Sequence, residues 1–488
     1  MLNLNRNSHV PWISAFLLII SYSIANGVYL TIERVTYYPI FKSDFTSILL
    51  TIIAASFMTF YNYKRYVYLI PLSLLSFLLT SITPLILLLP IAYELRKISS
   101  IVGISLLITS SSMLSWVFLR LIANVNTYFS LPLMLITAGV PVLIPIVWFI
   151  GIFFLFMPNK KGNKDPISLN PLIPFILTLL VSLLPYLPYI NPYKFPETVD
   201  FKYYYSWLLH PQFDGWFFYT RPFYLILLYL LSLIFKPYPV AFYEFVFLSV
   251  FYVYSGYKLA SALDRSIASL AALLASVSPM LITFLYSGLE ANLFSISLMF
   301  LSMYYLIKKE KITLAIILSL LSMLSHIYAW AQISTAIILY YVFRFMVSKI
   351  KPSKYEVIYL SSSLPFIFTG LLLIFMGIFP VPMSLANYND LIYQIAVGSW
   401  GSSNMLLFFI ITMLGNRFMK NLLGFIYAIS VLGTLVIQPA TNLIIDLPLF
   451  IPAAYALRYI RKDIAILLII NLVLWGIYMS INSVPKIH

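Results

Sequence analysis

What most constrains this chain is the length of its uncharged apolar runs. Residues 11–30, 45–61, 98–119 and 129–157, and later 168–190, 238–257, 266–286, 291–307, 328–346 and 464–480, each come near or exceed the roughly 20 apolar residues that carry an α-helix across a bilayer. Backbone polar groups find no water in hydrocarbon, so a spanning segment must satisfy them within itself. The expected fold class is therefore all-α, a polytopic transmembrane helical protein of about 16–18 membrane segments. Composition agrees: 9% of residues are charged, against about 25% in soluble domains. Run 11–30 has no small-residue cleavage site and reads as a first span rather than a removable signal.

The net charge of +15 does not indicate nucleic acid. Lys and Arg sit in short loops between apolar runs, as the positive-inside rule places them. Asn62–Arg65, Glu94–Lys97, Lys308–Lys311, Lys349–Lys354 and Arg458–Lys462 are the expected cytoplasmic turns. Residues 1–158 form an N-terminal region of about six segments, with run 66–93 divided at Ser81–Pro84. Residues 159–166 are the expected cytoplasmic linker, and 167–488 the second module. Pro90–Ile98 and Pro452–Ile460 share Pro, Ala, Tyr, Leu, Arg and Ile in register, so the first region reads either as a partial repeat of 355–480 or as a chance agreement of two apolar stretches. The chain has no cysteine, which excludes disulfides, thiolate metal sites and cysteine nucleophiles.

Residues 194–222 are the longest polar interruption. They hold Glu197, Asp200 and Asp214, with Lys202, His210 and Arg221 among aromatic residues. If locally helical, Glu197 and Asp200 share a face at i, i+3 spacing. Carboxylates at a membrane surface suit a general base on a hydroxyl, or oxygen ligands for a divalent cation such as Mg2+ or Mn2+. Either reads equally as a solvated loop charge. Asp214-Gly215 is a turn signal. Lys202 and Arg221 read as headgroup anchors or phosphate contacts. Glu290, with Asn292, lies near apolar depth, where an ionisable group marks function by default; the competing reading is an outer-loop residue that reaches water. His326 tops a hairpin of two spans, as a ligand-contacting group or as a cap. Glu244, Asp390 and Asp446 are isolated acids and read as structural. Glycine-rich phosphate loops, zinc-ligand spacings and a nucleophile elbow are absent.

One count does not close. With 194–222 outside and Lys308–Lys311 inside, the four runs between them have the wrong parity, so one run between 221 and 290 must not cross fully, or two of them form a single bent element.

Several features together resemble the membrane glycosyltransferases of the GT-C superfamily. They are an outward span followed by an acidic outer loop, Val199-Asp200-Phe-Lys-Tyr-Tyr-Tyr, Arg221-Pro222 opening the next span, and Ser278-Pro279. Ser287-Gly288-Leu-Glu290-Ala-Asn292 then stands as a second outer loop, with Ser325-His326 later and Leu447-Pro448 near the end. The resemblance covers about 165–480 and implies a GT-C-like module with an outer-loop active site. It implies transfer of a sugar from a polyprenyl-phosphate-linked donor to an acceptor on the extracytoplasmic face of the cell membrane. Asp200, Glu197 and Glu290 would be catalytic, with Asp200 and Glu197 as ligands if a divalent cation is used. Arg221, Lys202, His326, Asn292 and Asp214 would contact substrate or phosphate. Two departures stand out: Glu197 and Asp200 are three apart, and Thr441 and Asn442 stand where the family carries an Arg before its late proline segment. A polytopic transporter or lipid flippase, and a catalytically inactive subunit of the same build, are the competing readings.

Overall fold

The computed structural model describes residues 9–25, 28–30, 35–37, 44–100, 102–107, 109–111, 114, 167, 169–194, 200–287, 289–376, 384–385, 408, 411–412, 414–416, 419, 421–433, 437–438, 446–460 and 462–481. Most of these residues are helical, with two minimal antiparallel ribbons: β1 (Val28–Leu30) on β2 (Val35–Tyr37), and β3 (Ser384–Leu385) on β4 (Ile437–Gln438). The chain divides into two compact units. One holds Met1–Lys160, Tyr388–Ile410 and Ile487–His488; the other holds Lys161–Asn387 and Ile411–Lys486.

In the first unit α1 (Val10–Ala25), α2 (Phe45–Tyr61) and α3 (Thr83–Ile98) pack around Leu18, Ala54, Met58, Leu88 and Ile91. Small hydroxyl residues let α1 and α2 approach closely. Ser21 Oγ donates to the Ser47 carbonyl at 2.8 Å, and Ser47 Oγ donates back to the Ser21 carbonyl at 2.9 Å. Helix precedes residue 78 and resumes at Thr83, so run 66–93 is interrupted next to Pro84. Glu94 is buried but compensated by Lys97 at 2.8 Å, Arg65 at 3.5 Å and the Tyr66 hydroxyl.

The second unit begins with α4 (Leu172–Leu183), then three helices across the polar interruption: α5 (Phe201–Leu209), α6 (Gly215–Tyr219) and α7 (Pro222–Phe235). It continues through α8 (Pro237–Leu263), α9 (Ala268–Ser276), α10 (Pro279–Ser287) and α11 (Glu290–Lys308). The last helices are α12 (Ile312–Ser325), α13 (Ile327–Ser348), α14 (Lys354–Phe375), α15 (Leu422–Gly433), α16 (Phe450–Tyr459) and α17 (Lys462–Ile481).

Among the described residues four helices are long and apolar enough to cross a membrane: Pro237–Leu263, Arg265–Leu285, Glu290–Lys308 and Ile327–Ser348. The second of them is broken. Pro279 removes a helical donor, and Ser278 Oγ accepts the Leu281 N–H at 3.1 Å to restart the helix. Serines knit α11 to α12: Ser295 and Ser322 exchange hydroxyl-to-carbonyl bonds at 2.9 and 2.8 Å, and Ser302 reaches the Ala315 carbonyl at 2.7 Å.

α8 and α11 run parallel, since their contacts advance together: Phe251 on Phe294, Tyr252 on Phe300, then Lys258 over the Tyr304 ring. α16 runs the same way. Asn292 donates to Asp446 at 2.8 Å at one end, and Arg458 meets Asp264 at 2.6 Å at the other. The second end is also the basic one. Lys309 and Lys311 take left-handed φ in the turn after α11, and Glu356 receives Arg344 at 2.7 Å.

α7 has 14 residues, about 21 Å, too short for roughly 30 Å of hydrocarbon. It folds back on α8 through Lys236, at φ 68°, and the Tyr224 hydroxyl donates to Glu244 at 2.6 Å. By length α7 falls outside the four helices long enough to cross, as does α12, which also has 14 residues.

Candidate functional site at one end of the second unit

α5 is amphipathic: Phe201, Tyr204, Trp207 and Leu208 bury one face while Lys202, Tyr203 and Leu209 stay exposed. Aromatic contacts pin that face. Phe201 meets Tyr238 at 5.6 Å and Tyr204 meets Tyr224 at 5.7 Å, while the Trp207 indole N–H donates to the Gln212 carbonyl at 2.9 Å. Asp200 stands at the N-cap. Its carbonyl accepts from Tyr203 at 2.8 Å, but its carboxylate makes no cap bond. Burial pushes the Asp200 carboxyl above its usual range, and the charges of Arg221 and Lys202 partly offset this.

Arg221 is fixed before any ligand arrives. One guanidinium N–H donates to the Tyr204 hydroxyl at 3.0 Å and Nε–H to Thr220 Oγ1 at 3.3 Å, while the plane lies 4.5 Å from the centroid of the Phe217 ring. Two of five N–H donors are used in these bonds. The Ile327 N–H donates to the Thr220 carbonyl at 3.2 Å, which ties this segment to the His326 hairpin.

His326 is the N-cap of α13; its Nδ1 accepts the Ala329 N–H at 3.3 Å. Burial, with the nearby Arg221 charge adding, holds the imidazole down to about 3, so it is neutral. The structure therefore realises the capping reading of this residue.

Glu290 opens α11 with 0% exposure, where the helix dipole favours a carboxylate. Tyr204 lies within electrostatic range of Asp200, Arg221, Glu244 and Glu290. The loop acid and the Glu290 acid thus gather at the same end. Asn292 braces Asp446 through its amide N–H.

Glu244 is the residue that sequence reasoning set aside. It is 7% exposed and interacts with Glu290; Tyr224 occupies Oε2, and Oε1 has no partner among the described residues. The signal was present: it is the lone acid in run 238–257, and a charge at such depth is expensive. Tyr204 and Tyr224 carried no such signal, being two of many tyrosines in an apolar context. Beside Glu244 a groove of about 580 Å³ opens between α7 and α8, lined by Leu228, Leu231, Phe235, Val240, Phe247 and Phe251.

The remaining expectations separate. Glu197 lies outside the described residues, as do Asp390, Thr441 and Asn442. Lys202 is exposed, 4.9 Å over the Tyr203 ring, beside Asp200 rather than bonded to it. Asp214 is exposed before Gly215, whose φ of +80° marks the tight turn that the Asp-Gly pair foretold. Among the described residues no three His, Cys, Asp or Glu side chains gather in a metal-holding group, and Asp200 alone does not make one.

Compared with protein-family models, with curated proteins and with solved structures, the chain matches none. The functional reading rests on the cluster itself: an acid of raised pKa, a pre-positioned guanidinium, and two interacting buried carboxyls at one end of a helical layer.

Proposed function

We propose that the chain is a membrane glycosyltransferase that moves a sugar from a polyprenyl-phosphate-linked donor to a hydroxyl acceptor on the extracytoplasmic face of the cell membrane. The observation that carries this reading is Arg221 held by Tyr204, Thr220 and Phe217 in the same electrostatic neighbourhood as Asp200. A guanidinium with spare donors suits a phosphate bidentately. A desolvated carboxyl suits a general base.

In this reading Asp200 accepts the proton of the acceptor hydroxyl as its oxygen bonds to the anomeric carbon. The bond from that carbon to the carrier phosphate oxygen breaks, and its electron pair leaves with the phosphate, whose charge Arg221 holds. Glu290 is the carboxylate this reading assigns to the positive character that develops on the sugar ring. No step is routed through a metal ion. The basic turns at the opposite end support the orientation, with the cluster outside.

The test is transfer of labelled sugar from a polyprenyl-phosphate donor in membranes containing the full chain. Asp200→Asn should lower the rate about a hundredfold or more while insertion is unchanged. Arg221→Ala should raise the KM for the donor. Undiminished transfer in Asp200→Asn would sink the assignment.

A further inference from the structure

A second concentration of charge lies in the first unit, away from the transfer chemistry. Four cations, Lys64, Arg65, Arg96 and Lys97, stand around one acid, Glu94. They come from two elements, the helical turn Tyr63–Tyr66 that follows α2 and the last turn of α3. The positive-inside rule asks for cations near span ends but is indifferent to how they are arranged. Here two of them converge. Glu94 is about nine-tenths buried, and its Oε2 accepts the hydroxyl of the buried Tyr66, which holds it in place. The same oxygen takes Lys97 Nζ at 2.8 Å and stands 3.5 Å from an Arg65 guanidinium nitrogen. Both cations also lie against one ring, each 5.8 Å from the Tyr93 centroid. Arg65 and Lys97 are nevertheless 43% and 46% exposed, so both keep N–H donors towards the surroundings.

We infer that Arg65 and Lys97 clamp the phosphate of an anionic membrane lipid, with Glu94 and Tyr93 holding the two cations in position. Two nitrogens within 3.5 Å of one oxygen are close enough together for the oxygens of a single phosphate to bridge them. One carboxylate between two cations leaves a positive charge over, and the exposed Lys64 and Arg96 add to it. That field favours a lipid with net negative charge over a zwitterionic one, whose ammonium it repels. The aromatic surroundings favour a lipid over free phosphate. Phe60 and Tyr63 are 86% and 68% exposed, and Tyr68 and Tyr93 about half, as side chains at headgroup depth are. This inference rests on the first unit alone and does not depend on the transferase reading.

The experiment is photolabelling of the full chain in nonionic detergent micelles with a phosphatidylglycerol that carries a diazirine beside its headgroup. Competitors are unlabelled phosphatidylglycerol, phosphatidylcholine and diacylglycerol with the same chains, and inorganic phosphate. Labels should map to residues 63–68 and 93–97, and phosphatidylglycerol should compete there about tenfold better than the other two lipids. Inorganic phosphate at the same concentration should leave the labelling in place. Arg65→Gln and Lys97→Gln, made singly so that Glu94 keeps one cation, should each weaken labelling at these residues about fivefold. The paired change Lys349→Gln and Lys351→Gln removes two exposed charges from a different basic turn and should leave it unaltered. Equal competition by phosphatidylcholine, displacement by inorganic phosphate, parent-like labelling in both single variants, or equal weakening in the Lys349 and Lys351 variant overturns the inference. Sugar transfer is not read in any arm, so failure here leaves that proposal standing, and the reverse.

Discussion

Gly256→Ala separates packing from propensity in the second unit. A Cβ at Gly256 would stand 2.6 Å from Phe450 Cζ and 2.8 Å from Cε2. The Phe450 ring is fully buried, 5.7 Å from Tyr252 and 6.0 Å from Phe300, so it has little room to retreat. Two terms oppose each other. Replacing a mid-helix glycine by alanine favours the helix by about 1 kcal/mol. Forcing a methyl into a filled core costs about 1–3 kcal/mol. With the ring boxed in, overpacking wins, and the expected net is a loss of up to about 2 kcal/mol. Reversible unfolding in mixed micelles, followed by circular dichroism, measures it. Phe450→Leu should cost less in the Gly256→Ala background than in the parent, with a coupling of about 1 kcal/mol. The same strain should reach the site, because α16 follows directly on Asp446, which anchors Asn292. A stabilised Gly256→Ala, or a cycle with no coupling, would refute the claim that α8 and α16 touch backbone to ring.

Three further outcomes follow. Transfer should rise with pH through an acid limb above the usual carboxylate range, because burial raises Asp200; Arg221→Gln, which removes the offsetting charge, should move the limb higher still, and a limb that stays put in a rate profile would contradict this. His326 is held well below its ordinary value of about 6.5, so its contribution to stability is fully present above that value and is lost as pH falls towards 3, at roughly 1.4 kcal/mol per pH unit. His326→Asn keeps a capping oxygen and should flatten the stability loss between pH 7 and 5; an unchanged slope would refute it. Glu356→Gln should destabilise by about 1–3 kcal/mol by leaving Arg344 partly buried without its carboxylate, whereas Glu244→Gln should be neutral or stabilising; the reverse order in unfolding measurements would overturn the division of acids drawn from their partners.

Helix boundaries were legible wherever charges bracket a run. Expected runs 291–307, 328–346 and 464–480 correspond to Glu290–Lys308, Ile327–Ser348 and Lys462–Ile481, because charged or polar turns cost too much inside apolar layers to leave the ends ambiguous. The role of α7 was not legible. Its residues are as apolar as those of a span, its 14-residue length is shared by α12, and the turn at Lys236 is a backbone conformation that composition does not announce. For the site, Asp200, Arg221 and Glu290 could be picked out because charges are scarce. Glu244 was misjudged as isolated, since one-dimensional spacing cannot show that α8 and α11 run parallel and bring residues 46 positions apart into electrostatic contact. Asp446 held to its structural reading as the anchor of Asn292.

The partners of the buried acids divide the second unit by role. At the basic end each described acid named above has its cation: Glu356 has Arg344, and Asp264 has Arg458. Pairing of that kind offsets part of the desolvation cost and leaves little net charge to do chemistry. At the other end the arrangement inverts. Asp200 senses Arg221 and Lys202 without joining either in an ion pair among the described residues, Arg221 bonds a neutral hydroxyl, and Glu244 bonds a neutral tyrosine beside another carboxyl. Folding alone gives no reason to keep charges in low dielectric beside partners that do not neutralise them, since apolar residues of like volume would serve packing better. Acids that join no ion pair among the described residues at one end, set against acids paired with arginines at the other, are the contrast from which the transferase proposal starts.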